Sequence, residues 1–312
     1  LILDPENEYT ALTEQLHGQT IYLAPDSQSY LNPMDLDLST DVGESPMLMQ
    51  ADFLLSQCEL MMASYGNPLM PIEKSLIDRC ISLVYRDYLK NPRPENMPIL
   101  GDLYQCLREQ HNSRADDLAT AMEIYVTGSL SYLNHRTNVD LNNRMVCYNI
   151  SKLGQGLKKL VMSNVQKHIW QRTAVNRYAG ITTRIFLDEF HLLLKEPQTA
   201  AYTAEIYKRF RKWNGIPTSL TQNVKDLLDS SEIENILENS DFVLMLNQGA
   251  SDRNILAQRL GISPQELSHV TNSSEGEGLL FFGDKIIPFE DKFPRDTQLY
   301  RVMTTKPSDL AA

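Results

Sequence analysis

The run Arg184-Ile185-Phe186-Leu187-Asp188-Glu189 is an apolar stretch that ends abruptly in two carboxylates. At the end of a buried parallel strand, such a pair can divide the work of nucleotide hydrolysis. The Asp holds the water shell of a Mg²⁺ ion, and the Glu activates the attacking water. Many strands also end in Asp-Glu at a plain turn, so a structural role is the competing reading. Thr221-Gln222-Asn223 closes the next strand-like run. The carboxyl ends of neighbouring parallel strands line up, and ligands bind there. A Gln at that edge can donate to a γ-phosphate and accept from water, while a polar loop start is the simpler alternative. Between the two runs, Lys208-Arg209-Phe210-Arg211-Lys212 ends a helical segment. Cations in a last turn complement the helix dipole. Four of them exceed that need, so an Arg can also reach a neighbouring subunit's phosphate.

Other patterns are missing or incomplete. No Gly-x-x-x-x-Gly-Lys-Ser/Thr occurs in the 312 residues. Gly154-Gln155-Gly156-Leu157-Lys158-Lys159 follows a strand and opens a helix, but its spacing fits a tight turn rather than a phosphate loop. There is no Gly-x-Ser-x-Gly elbow, which leaves nucleophilic hydrolase chemistry without support. His191 has no His-Glu-x-x-His companion and reads as a packed or solvated side chain. Either the function is not nucleotide hydrolysis, or the phosphate loop lies outside these residues. Leu1-Ile2-Leu3-Asp4-Pro5 reads as a buried strand entering a loop, without an initiator Met or a leading helix. That favours the second option, and the expectation is the C-terminal part of a longer protein.

The elements that must position these groups fall into three stretches. Residues 1–44 look α/β: strand Leu1–Asp4, a helix near Glu8–Leu16, strand Ile21–Ala24, then a loop with Asn32-Pro33-Met34-Asp35. From 45 to 145 the periodicity is 3.6. Ala51, Leu54, Leu55, Cys58, Met61 and Met62 share one face, as do Leu76, Ile77, Cys80, Ile81, Val84 and Tyr88. Helical patterns continue over Ile99–Arg108 and Ala115–Val126, and no strand is expected there, so this stretch reads as an all-helical unit apart from the sheet. From 146 to 312 strands and helices alternate, as in βαβ units of a mostly parallel sheet. The strands are Val146–Ile150, Thr183–Leu187, Pro217–Leu220, Phe242–Leu246 and Leu279–Phe282. The helices are Leu157–Arg177, Thr199–Trp213, Ser251–Leu260 and Pro264–Val270. Gly283-Asp284-Lys285 suggests a terminal hairpin.

Composition narrows the class. With 42% hydrophobic residues the chain can bury a core. No apolar run approaches the ~18–20 residues of a membrane-spanning helix. Cys58, Cys80, Cys106 and Cys147 lack metal-type spacing and read as reduced core thiols of a cytosolic protein. A net charge of −11 argues against a surface that coats DNA broadly, though not against a local basic track inside a ring.

Taken in order, Asp4-Pro5-Glu6-Asn7-Glu8-Tyr9, Asn32-Pro33-Met34-Asp35, Ile185-Phe186-Leu187-Asp188-Glu189, Phe210-Arg211-Lys212-Trp213-Asn214-Gly215 and Thr221-Gln222-Asn223 resemble the C-terminal ATPase domain of the large type IV secretion ATPases. That is the CagE/TrbE/VirB-four family, within the HerA/FtsK-like group of RecA-type motors, and the resemblance covers nearly the whole chain. It implies an α/β, RecA-like P-loop NTPase core with a mostly parallel sheet, interrupted by an all-α insertion. It implies hydrolysis of ATP with Mg²⁺, powering a bacterial secretion or conjugation channel at the inner face of the cell membrane. Its partners would be further copies in a possible hexamer, other secretion components and, as an alternative, duplex DNA. A non-catalytic scaffold is the other alternative. On this chain Asp188 would orient the Mg²⁺ hydration shell, Glu189 would polarise the attacking water and Gln222 would sense the γ-phosphate. Arg211, eleven residues before Gln222, would be the arginine finger, with Arg209 as runner-up. Arg211 and Gln222 are expected at one edge of the sheet. Asp4 and Glu8 would lie near the phosphates. The family's Walker A loop would precede the first strand.

Overall fold

Five short strands form one parallel sheet: β1 (Ile2–Asp4), β2 (Gln19–Tyr22), β3 (Val146–Asn149), β4 (Thr183–Leu187) and β5 (Gly215–Ser219), in the order β2-β3-β1-β4-β5. Helix α1 (Thr10–Gln15) links β1 to β2. β1 and β3 are buried along their whole length, as central strands covered on both faces must be. β5 carries Pro217, which suits a strand at the edge of a sheet. The register pairs Leu3 with Leu187 and Leu187 with Ser219. The amide of Asp188 donates to the Leu3 carbonyl at 3.2 Å, and that of Leu220 to the Leu187 carbonyl at 2.9 Å. The residues just after β1, β4 and β5 therefore emerge side by side.

The computed structural model describes residues 1–38, 45–63, 69–222, 232–249, 255–257, 260–271 and 273–305. They divide into two units, Leu1–Asp188 with Phe210–Leu220, and Glu189–Arg209 with Thr221–Ala312. No helix among the described residues is long and apolar enough to cross a membrane.

In the first unit the stretch after the Asn-Pro-Met-Asp loop is helical, with no strand among its described residues. It holds α2 (Pro46–Ala63), α3 (Pro71–Val84), α4 (Arg86–Lys90), α5 (Leu100–Arg108) and α6 (Ser113–Val126). Pro71 opens α3, where the missing amide costs nothing. The Asn112 side chain caps α6 by accepting from the amide of Arg114 at 2.9 Å. These helices fall in the same compact unit as the parallel sheet. The reason lies in α2, which is apolar around most of its circumference and so is covered on more than one side. Across from it runs α7 (Gln155–Tyr178). Gln57 Nε2 donates to the Leu160 carbonyl at 3.2 Å, and Lys167 Nζ stands 4.7 Å from the centre of the Phe53 ring.

The Asn32-Pro33-Met34-Asp35 loop is the clamp between these parts. Asn32 is fully buried, its Nδ2 donating to the Pro98 carbonyl at 2.8 Å and its Oδ1 accepting from the Met34 amide at 3.0 Å. Gln50 Nε2 donates to the Pro33 carbonyl at 3.0 Å. Lys167 Nζ donates to the carbonyls of Pro33 at 2.9 Å and Asp35 at 2.6 Å. Burial pulls the Lys167 ammonium down from 10.5 to about 7, opposed by the Asp35 carboxyl. The unfolded chain thus keeps a proton that the folded chain gives up between about pH 7 and 10.5. Stability from this group rises with pH across that window and is lowest below it. The urea midpoint of the protein is expected to rise from about pH 7 to about pH 9 more steeply than that of Lys167→Met. Identical slopes would show that Lys167 is not the source.

The second unit holds α8 (Pro197–Phe210, whose last residue belongs to the first unit), α9 (Ile233–Glu238), β6 (Phe242–Met245), α10 (Pro264–Leu267), β7 (Glu277–Phe282), β8 (Lys285–Glu290) and α11 (Gln298–Met303). Phe242–Leu246 and Leu279–Phe282 do not extend the parallel sheet. They lie in a separate antiparallel sheet, β6-β7-β8, with Phe242 opposite Phe282 and Met245 opposite Leu279. Alternating apolar residues identify a strand but not its neighbour or its direction. Here Met245 and Leu279 face a small core with Leu256, Ile262 and Val270. The β7–β8 turn is the expected hairpin, with Gly283 at φ 56°. The expected helix Ser251–Leu260 falls in large part outside the described residues.

Candidate functional site

The carboxyl ends of β1 and β4 gather acidic groups. Asp4 is fully buried; its Oδ1 accepts from the Glu8 amide at 3.0 Å, and its Oδ2 from the Tyr9 amide at 3.1 Å and the Cys147 thiol at 3.7 Å. Its carboxylate thus folds the Pro5–Tyr9 loop, in which Asn7 adopts φ 64°. Glu8 is exposed, and Asp188 is 8% exposed. Tyr9 stands among them. Burial raises its phenol well above the usual range, reinforced by the charges of Asp188, Glu8 and Asp4. Tyr9 closes the Asp-Pro-Glu-x-Glu-Tyr run, and that position was the sequence signal for its place at this edge.

Glu189 and His191 belong to the second unit. Glu189 has left-handed backbone angles, φ 42° and ψ 45°, which a non-glycine residue seldom adopts. It opens a 3₁₀ turn, Phe190–Leu194, anchored by the buried Phe190, Leu193 and Leu194. His191 Nδ1 lies 3.1 Å from Glu189 Oε2, with the two side chains 11% and 15% exposed. The same Nδ1 lies 3.1 Å from Thr221 Oγ1. Glu189 Oε2 is shielded from solvent and makes no aligned hydrogen bond. Local pattern assigns His191 no role, because nothing in its spacing reveals that Thr221 returns beside it. Gln222, next in the chain, is exposed, and Asn223 lies outside the described residues.

Arg211 is on the other edge of the parallel sheet. It precedes β5, whereas Leu220 comes after β5, so five strand residues separate it from the carboxyl edge. At ~3.3 Å per residue the gap is roughly 17 Å. The expectation that Arg211 shares the edge to which the strand leads is therefore corrected: residues before a strand and residues after it stand at opposite ends of the sheet. The neighbouring motif residues hold the Arg211 segment rigidly. Phe210 and Trp213 are buried against Trp170, with ring centres 5.4 and 4.9 Å from it. Asn214 adopts φ 56°, and a Cβ on Gly215 would come within 3.0 Å of Phe210. Arg211 itself is exposed. Arg209 is tied to Glu205, Nε to Oε2, at 3.0 Å.

Among the described residues no three His, Cys, Asp or Glu side chains converge as a metal cage. Mg²⁺ does not need one, since it keeps several waters and binds through one or two carboxylates plus substrate phosphates. A buried-edge carboxylate such as that of Asp188 fits this donor chemistry.

A family model described as the TraG P-loop domain matches residues 100–276. The fold is similar to that in "Structure of VirB4 of Thermoanaerobacter pseudethanolicus", at 22% identity, covering 99% of this chain and 82% of that one with a TM-score of 0.81. It is also similar to plasmid coupling protein TrwB in complex with ADP and Mg²⁺, at 13% identity over 96% of this chain and 86% of that one, TM-score 0.56. TrwB with the non-hydrolysable GTP analogue GDPNP matches at 12% identity over 96% and 87%, with the same TM-score, 0.56. No curated protein sequence matches.

Proposed function

The chain belongs to the TraG P-loop domain family, and from that premise we propose that it is the motor part of a type IV secretion or conjugation ATPase, hydrolysing Mg-ATP to drive assembly or substrate transfer. One observation carries the reading: Asp188-Glu189 follows a parallel strand whose carboxyl end is in register with those of β1 and β5. Asp188 holds the hydration shell of Mg²⁺, which when bound neutralises phosphate charge. Glu189 takes the proton of the attacking water, and Gln222 reads the γ-phosphate. Asp4 and Glu8 shape the loop beside Asp188. Arg211 acts on a neighbouring copy in a ring, and the ring works with other secretion components at the inner face of the cell membrane.

No Gly-x-x-x-x-Gly-Lys-Ser/Thr occurs in residues 1–312, so on this reading the phosphate loop would have to come from outside them. Backbone amides and a Lys supply most phosphate contacts in such sites. Calorimetry should therefore find only weak Mg-ATP binding by residues 1–312 and tight binding by a form that carries a Gly-x-x-x-x-Gly-Lys-Ser/Thr loop. Micromolar affinity of residues 1–312 alone would mean that the nucleotide site is elsewhere. Hydrolysis that rises with added duplex DNA would mark a motor acting directly on DNA, a reading that the net charge of −11 does not favour.

A further inference from the structure

We propose that His191 is a positioning residue that holds the Glu189 carboxylate and links it to the strand end at Thr221. The inference rests on the reading of Glu189 as the base. Its support is geometric. Glu189 sits in a left-handed conformation at the mouth of a tight turn, so its backbone alone does not fix where the carboxylate points. His191, two residues on, stands with Nδ1 at 3.1 Å from Oε2. The same nitrogen is 3.1 Å from Thr221 Oγ1.

The tautomer is set by the neighbours. A bare Nδ1 lone pair would face a carboxylate oxygen at 3.1 Å, which is repulsive. Nδ1 therefore carries the proton, its N–H aligned with Thr221 Oγ1 and standing beside Oε2 as a close electrostatic contact without hydrogen-bond alignment. Oε2 is shielded from solvent and has no aligned hydrogen bond of its own. The electrostatic attraction of the adjacent imidazole N–H is then what favours that oxygen turned inward, leaving Oε1 to meet the attacking water. Thr221 immediately precedes Gln222. One side chain thereby joins the base to the strand end that carries the proposed γ-phosphate sensor. A shift of that strand end on nucleotide binding would be felt at Glu189 through His191.

The test uses the complete protein with its phosphate loop. Steady-state hydrolysis and Mg-ADP affinity are measured for His191→Ala, His191→Asn, Thr221→Val, Glu189→Gln and the double variant His191→Ala/Glu189→Gln. Removing a group that orients a functional side chain typically costs 10–100-fold. His191→Ala should lower kcat by roughly 10-fold or more, with KM and Mg-ADP affinity within about twofold of the parent. His191→Asn places an amide N–H near the position of Nδ1 and should recover most of that loss. Thr221→Val should fall between the parent and His191→Ala. The double variant should be no slower than Glu189→Gln, because a positioning residue has no effect once its target is gone. A parent-like kcat in His191→Ala, while Glu189→Gln is inactive, overturns this inference and leaves the proposed function standing. A parent-like Glu189→Gln overturns both. If His191→Ala melts early, the decision passes to His191→Asn and Thr221→Val: loss of kcat in Thr221→Val with rescue in His191→Asn supports the link, and an unchanged Thr221→Val rejects it.

Discussion

Glu189→Gln, made in the complete protein, should bind Mg-ATP as the parent does and lose turnover by roughly 10²-fold or more. The change is nearly isosteric, so the turn through Phe190–Leu194 and the buried side chains that anchor it are kept. What disappears is the basic oxygen. An amide cannot accept the proton of water as the bond to the γ-phosphate forms, whereas phosphate binding depends on other groups. Asp188→Asn should behave differently. Replacing a carboxylate with a neutral oxygen donor weakens the hold on the Mg²⁺ shell, so Mg²⁺-dependent binding should fall together with turnover. Calorimetry with and without Mg²⁺ separates the two variants. Parent-rate hydrolysis by Glu189→Gln would make the acidic pair a structural turn.

Arg211→Ala should abolish ring activity by ~10³-fold or more, and mixing should restore part of it. Arg211 precedes β5, so it stands roughly 17 Å of strand away from the edge where Asp188 emerges. On the proposed reading, a guanidinium so placed would be out of reach of phosphates bound at that edge and would act on those of an adjacent copy. The rigid segment formed by Phe210, Trp213 and Gly215 presents it outward. Were it only a helix-end cation, its loss would cost about 0.3–1 kcal/mol of stability and leave hydrolysis intact. The decisive experiment mixes Arg211→Ala with Glu189→Gln under conditions that allow subunit exchange. Where the first supplies Glu189 and the second supplies Arg211, a composite site is complete and activity should partly return. No recovery despite proven exchange would sink the assignment. A fully active Arg211→Ala would turn attention to Arg209, which has the handicap of its Glu205 partner.

Local pattern determined a good deal by itself. The helices over α2, α3, α5, α6 and α7 arise from 3.6-residue spacing, with Pro71 and Asn112 marking two starts. The acidic pair at the end of β4 is visible as an apolar run meeting charge, because a strand buried on both faces must become polar where it leaves the sheet. Tertiary structure decided the rest, for reasons local pattern cannot encode. Strand direction is a property of pairs, so the antiparallel β6-β7-β8 sheet could not be told from further parallel strands. Which edge a residue reaches depends on whether it stands before or after its strand within the assembled sheet, and that moved Arg211 away from the carboxyl edge. The helical stretch shares a unit with the parallel sheet because Gln57, Phe53 and Lys167 meet across α2 and α7, about a hundred residues apart in the chain. Likewise His191 gained its partner from Thr221, thirty residues away, and only folding brings a carboxylate oxygen and a hydroxyl each to 3.1 Å from the same imidazole nitrogen.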